Sequence, residues 1–212
     1  MHRLWWGFLR LFFRLLYTKF AWTYDLVAWG VSLGQWRAWG RTAVPYLQGE
    51  RILELAHGPG HLLVAMKNQG LSAAGLDLSP HMGRLAKRRL ERARLAVPLV
   101  RAQAQALPFR KGCFDSIVAT FPTEFILVPA TLREAARVLH RPGQRLVIVA
   151  SARLGGCDPL SYVIRWLYRA TGQDELLPDG FATVMEKAGF IPQVLQERVD
   201  RSAVTLIVAE KR

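Results

Sequence analysis

Residues 50–80 constrain the fold more than any other stretch of the chain. Residues 51–56 are a short apolar run, and Gly58, Pro59 and Gly60 make a tight turn. Residues 62–69 have a helical pattern, and residues 72–78 form a second apolar run that carries Asp77 near its end. Strand, glycine turn, helix, strand and acid, in that order, is the plan of a nucleotide-binding crevice at the edge of an open α/β sheet. Each part has a physical task. A glycine lets the main chain approach a ligand with no Cβ in the way. The N-terminus of the following helix points unpaired N–H groups into the gap. A carboxylate after the second strand accepts the two hydrogen bonds that a ribose diol donates. Asp77 stands seventeen positions after Gly60, the spacing expected of that acid. Ser79 and Pro80 supply the cap and first turn of the next helix, which leaves Asp77 for a ligand.

The rest of the chain keeps the alternation. A helix over residues 80–95 leads to a third strand at 98–102 and a fourth at 114–120. A helix at 129–139, closed by Pro142 and Gly143, precedes a fifth strand at 144–150. Helices at 160–170 and 179–188 follow, and two strands, 191–197 and 203–209, end the chain. No internal repeat or low-complexity stretch interrupts this order. At 212 residues, 51% of them hydrophobic, the chain can bury a substantial core and is not of the disordered class. It divides into an N-terminal segment, residues 1–43, and one α/β domain, residues 44–212.

Glu54-Leu-Ala-His-Gly-Pro-Gly60 resembles the E-x-G-x-G-x-G turn of the class I S-adenosylmethionine-dependent methyltransferases, in particular those of the type 11-like group. Gly75-Leu-Asp-Leu-Ser-Pro-His-Met82 is similar to their second strand and following helix start. Ala104-Gln-Ala-Leu-Pro-Phe109, Phe114-Asp-Ser-Ile-Val118 and Glu134-Ala-Ala-Arg-Val-Leu-His-Arg-Pro-Gly143 match further blocks in order and spacing. A lone glycine turn also suits a dinucleotide binder or plain packing; five blocks in register are far more specific, and the resemblance covers about residues 44–210. The resemblance implies a Rossmann-like, doubly wound, seven-stranded and mostly parallel sheet, with the last strand inserted antiparallel and helices placed ahead of the first strand.

It also implies roles. Glu54, Ala56, His57, Gly58 and Gly60 around the turn, Asp77 and Leu78 after the second strand, Gln103 and Ala104 after the third, and Phe121 after the fourth become candidate contacts of S-adenosyl-L-methionine. Glu54 would face its aminoacyl end. Gln103 stands where the family usually has an acid for the adenine amino group; an amide oxygen accepts the same bond without charge. The Ala104 N–H would serve an adenine ring nitrogen. Ala56 stands where the family has its first glycine, which costs little at negative φ and is strained at positive φ. Tyr24, ahead of the first strand, and Pro122 and Phe125, beside the crevice, are candidates for the lid and acceptor pocket. Phe121-Pro-Thr-Glu124 lacks the leading polar residue of the run used by amino-methylating enzymes, which argues against methylation of a base amine. Glu124 is a candidate base, or else a loop acid in water.

No metal is expected. His57 and His61 are four apart, but the Gly-Pro-Gly turn between them breaks helical register. Cys113 and Cys157 show no paired spacing, which fits a reducing, cytoplasmic setting. The net charge of +13, from 29 basic and 16 acidic residues, favours an anionic partner: nucleic acid, an acidic membrane surface or an anionic substrate. Arg84, Lys87, Arg88, Arg89, Arg92 and Arg94 against Glu91 make the helix at 80–95 either a solvated outer face or a phosphate-tracking surface. Residues 1–20 are rich in Trp, Phe and Leu, with Arg3, Arg10 and Arg14 on one helical stripe. Those arginines interrupt the run of about 20 apolar residues that a spanning helix needs. An interfacial helix with snorkelling arginines, a helix packed on the domain, or an organellar presequence remain.

The expected function is methyl transfer from S-adenosylmethionine to a small or lipid-like hydrophobic acceptor, such as a quinone precursor or phospholipid, with peripheral membrane contact through residues 1–20. The alternatives are an RNA methyltransferase, motivated by the charge, and a catalytically silent relative acting as a membrane- or protein-binding module. The sequence carries no signal for the oligomeric state.

Overall fold

The structure is a computed structural model that describes residues 32–155 and 180–212. The expectations for residues 1–20, Tyr24, Cys157 and the helix at 160–170 lie outside the described residues. Seven strands form one sheet: β1 (Arg51–Leu55), β2 (Ser72–Leu76), β3 (Leu99–Val100), β4 (Ser116–Thr120), β5 (Arg145–Leu154), β6 (Phe190–Val199) and β7 (Ser202–Lys211). Their order across the sheet is β3-β2-β1-β4-β5-β7-β6. The first five pair in parallel, and β7 runs antiparallel between β5 and β6. The described helices are α1 (Trp36–Arg41), α2 (His61–Asn68), α3 (Pro80–Arg92), α4 (Pro129–Val138) and α5 (Phe181–Lys187). The expected mostly parallel, doubly wound sheet is therefore present.

The alternation of side chains along β1 shows how both faces are covered. Ile52 points to a core shared with Trp39 and Ala43 ahead of the sheet, Leu63 and Met66 of α2, and Leu90 of α3. Leu53 and Leu55 point to the opposite core, with Leu132, Ala135 and Val138 of α4 and Met185 of α5. Central strands that are apolar on both faces are what a parallel sheet between two helical layers requires. Residues 32–43 belong to this packing: Trp39 is only 1% exposed. The Gln35 amide oxygen accepts from the Trp39 indole at 3.2 Å and from Ser202 Oγ at 2.6 Å.

Two boundaries differ from the sequence reading in ways that matter. The third strand shrinks from 98–102 to Leu99–Val100. It is an edge strand entered through Pro98, which has no N–H to donate, and the chain leaves the sheet after Val100 for the loop that carries Gln103. The closing strands are longer than their apolar runs. β5 and β7 pair through Ser151, Arg153 and Ser202, past a bulge near Ala150, because ladder bonds hold polar residues as well as apolar ones. At the edge where β1 and β4 begin, Asp115 accepts from the Glu50 and Arg51 N–H groups and the Arg51 guanidinium, the last at 2.6 Å. The Arg51 bonds hold its carboxyl far below the usual carboxylate range.

Candidate active site

The candidate site lies at the opposite edge, where β1, β2, β3 and β4 end. After Leu55 the chain turns sharply at Ala56, whose φ is +52°. The strained alternative holds: a left-handed residue with a Cβ costs about 1–2 kcal/mol. His57 N–H bonds the Leu76 carbonyl at 3.2 Å, and Gly60 N–H bonds the His57 carbonyl at 3.0 Å. The Arg89 guanidinium reaches back from α3 to the Pro59 carbonyl. The two glycines do different work. At Gly58 a Cβ would meet nothing within 4 Å, so the main chain there lies open to a ligand. At Gly60 a Cβ would stand 2.9 Å from that of Ala86, so its bare α-carbon lets α3 pack against the turn.

Asp77 sits just past β2. Its Oδ2 accepts the Gly58 N–H at 2.9 Å and its Oδ1 accepts the Ser79 N–H at 2.8 Å. A carboxylate has about four lone-pair directions, so each oxygen keeps capacity for a further donor. Ser79 caps α3 through the Met82 N–H, with Pro80 in the first turn, as expected.

Glu54 is 1% exposed, and its Oε2 has no hydrogen-bond partner. Burial, and then the charge of Asp77, push its pKa well above the carboxylate range, against the opposing hydrogen bond from the Leu63 N–H. A buried carboxyl with an unused oxygen is a costly arrangement unless a ligand group meets it. His57 turns its side chain inward, beside Gly75. Its imidazole is buried, with Nδ1 2.7 Å from the Gly58 carbonyl, so Nδ1 carries the proton. Burial pushes its pKa down, against the pull of Asp77. The ring packs under the turn against Gly75, and its side chain braces the turn. Among the described residues no cluster of three or more His, Cys, Asp or Glu is placed to hold a metal.

The remaining candidates are spread along the same edge. Leu78 is 58% exposed, and its carbonyl accepts from Arg101 Nε at 3.2 Å. Gln103 is exposed and Ala104 is buried on a turn closed by Ala106 N–H to the Gln103 carbonyl. Phe121 leaves β4 with φ of +48°. Its ring packs on Trp36 with centroids 4.3 Å apart and planes tilted by 33°, and meets the edge of Trp39 at 6.3 Å. Pro122 is half-buried beside it. Glu124 is exposed at the start of a 3₁₀ turn, Glu124–Leu127, and Phe125 packs against the α4-side core. Phe125 thus serves the core more than an open pocket.

A family model described as a methyltransferase domain matches residues 52–143. The demethylmenaquinone methyltransferase of Mycolicibacterium paratuberculosis is 33% identical over 171 residues, covering 77% of this chain and 71% of that protein. The chain belongs to the class I S-adenosylmethionine-dependent methyltransferases. The demethylmenaquinone methyltransferase of Thermus thermophilus is 36% identical over 140 residues. The match covers 63% of each, so the chain spans less than two thirds of that relative's length. Among solved structures, geranyl diphosphate C-methyltransferase of Streptomyces coelicolor, in complex with Mg2+, geranyl diphosphate and S-adenosyl-L-homocysteine, has the same fold. It aligns with a TM-score of 0.62 at 15% identity over 82% of this chain and 79% of that one.

Within this methyltransferase frame, Trp36, Trp39, Glu134 and Arg137 are not among the candidate site residues that the sequence marks. Trp36 and Trp39 are three apart, the spacing that puts two rings on one helical face. Glu134 and Arg137 have the same spacing, and an acid and an arginine so placed pair within a helix. Among the described residues no helix is long and apolar enough to cross a membrane.

Proposed function

We propose that this chain binds S-adenosylmethionine across the ends of β1, β2 and β3 and transfers its methyl group to an apolar, ring-bearing acceptor of the reduced-quinone type. The observation that carries the reading is the joint held by Asp77: an open main chain at Gly58 and a carboxylate with spare lone pairs, fixed to each other at 2.9 Å. The ribose diol would bond Asp77, the base would lie toward Leu78, Gln103 and Ala104, and the aminoacyl end would lie toward Glu54. The unused Glu54 oxygen suits a cationic ammonium, because such a partner offsets the cost of a buried carboxylate. When bound, the donor supplies a methyl group activated by a sulfonium leaving group.

The residues of the chain then have three tasks: to orient, to exclude water and to accept the acceptor's proton or let it reach solvent. The tilted Trp36–Phe121 ring pair supplies an apolar aromatic surface beside the end of β4, suited to an unsaturated ring rather than a flexible alkyl chain. Left-handed Phe121 is a strained position of the kind found at functional sites. Glu124, exposed to water after β4, would be the acid that takes a proton. Methyl transfer would cost the acceptor one proton, which Glu124 or bulk water would take up. The relatives named demethylmenaquinone methyltransferase support this acceptor class. Residues 1–20 would bring the protein to the membrane where such acceptors dissolve.

The test is transfer of an isotope-labelled methyl group from S-adenosylmethionine to a chemically reduced prenyl-naphthoquinone in lipid vesicles. Label in the extracted quinone is expected. Label absent from it, under conditions where the protein binds the donor, overturns the acceptor assignment.

A further inference from the structure

Glu134 and Arg137 lie far along the chain from the glycine turn, yet they grip the loop after β3. Glu134 Oε2 accepts the Leu107 N–H at 2.8 Å. Arg137 holds Glu134 with two bonds of 2.7 Å, then donates from Nη1 to the Phe109 carbonyl at 2.8 Å and from Nη2 to the Leu107 carbonyl at 2.9 Å. The Arg137 guanidinium holds the Glu134 carboxyl below the usual carboxylate range, so the grip is ionic and bidentate. β3 contributes only two residues to the sheet. The ladder therefore does little to fix residues 101–109, and α4 takes over that task. Upstream of the pinned Leu107, Ala104 is 6% exposed, and its N–H has no acceptor among the described residues.

We propose that Glu134 and Arg137 are positioning residues that set which base the site accepts, by holding the Ala104 N–H rigidly toward the purine. This rests on the proposed binding of S-adenosylmethionine. Gly58, Asp77 and Ala104 follow β1, β2 and β3 in turn, so a nucleoside whose sugar lies at Asp77 has its base at the β3 end. A main-chain N–H can donate to the acceptor nitrogen N1 of adenine. It meets a second donor in hypoxanthine, where N1 carries hydrogen. The exposed Gln103 amide can rotate to bond either base, so discrimination falls to the main chain, and a main-chain donor discriminates only if it cannot move away. Pinning supplies that rigidity.

The experiment compares S-adenosylhomocysteine with S-inosylhomocysteine, in which the adenine amino group is replaced by oxygen, by calorimetry on the full chain and on Arg137→Lys and Glu134→Gln. The intact chain should prefer the adenine compound by about tenfold, the factor expected for one hydrogen bond lost and one donor left unpaired. In both variants that ratio should fall to about twofold or less. A purely structural role would weaken both compounds together; a ratio unchanged in folded variants overturns the proposal while leaving donor binding intact. If the intact chain binds neither compound, the proposed function fails first and this inference with it. Should Arg137→Lys fail to fold, Glu134→Gln keeps the shape of the side chain and decides alone.

Discussion

Asp77 Oδ2 lies 2.9 Å from the Gly58 nitrogen, and the same carboxylate holds the Ser79 N–H through its other oxygen. One side chain thus fixes the end of β2, the glycine turn after β1 and the cap of α3 to one another. Removing it should loosen all three. Asp77→Ala is expected to lose about 1–3 kcal/mol of stability, the usual effect of leaving such donors without their acceptor. Hydrogen exchange should quicken at the Gly58 and Ser79 amides while the amides of β4 keep their protection. Unchanged exchange at both amides would contradict the joint described here.

Ala56 holds a left-handed conformation at φ +52°. Glycine relieves a penalty of about 1–2 kcal/mol but adds about 0.5–1 kcal/mol of chain entropy to the unfolded state. Ala56→Gly should therefore stabilise the protein by roughly 0.5–1 kcal/mol. Urea unfolding checks this as a raised midpoint with an unchanged slope.

Glu54 gives the stability of the protein a pH dependence of definite sign. Its folded pKa is raised by burial and by Asp77, so the folded chain holds this proton more tightly than the unfolded one. The contribution is fully present below the unfolded value of about 4.3 and is lost as pH rises through the folded value. Glu54→Gln removes the titration and keeps the shape. The variant should gain stability relative to the parent as pH rises above about 4.3; a difference that stays flat with pH would contradict the assignment.

The Trp36–Phe121 ring pair predicts an effect on one substrate only. Aromatic pairs contribute about 0.5–1.5 kcal/mol beyond the area they bury. Trp36→Ala should therefore raise the acceptor KM by roughly two- to tenfold, with donor affinity unchanged by calorimetry, and Trp36→Phe should recover most of the loss. An equal loss of donor affinity would place Trp36 in the donor site instead.

Much of this arrangement is legible in the residues. The run from Glu54 to Asp77 has a period, a turn chemistry and a spacing that few folds satisfy, and the sheet forms around it. Ser79 with Pro80 reads correctly as a cap because capping is a local matter of side chain and φ. What stays hidden is what depends on partners distant in sequence. Nothing local says that His57 turns inward, since that follows from the space left by Gly75. Gly58 and Gly60 look alike in the chain, and only the approach of Ala86 separates their roles. Glu134 and Arg137 have the spacing of an ordinary helical ion pair, and nothing local ties them to the loop at 107–109. β3 is over-read for a related reason: its apolar residues suit a strand, but an edge position pairs them on one side alone.

The most direct test is a calorimetric titration of S-adenosylmethionine into the intact chain and into Asp77→Ala. Saturable binding to the intact chain is expected, with a loss of about 1–3 kcal/mol in the variant. No binding to the intact chain, or equal affinity in the two proteins, would contradict the proposed binding.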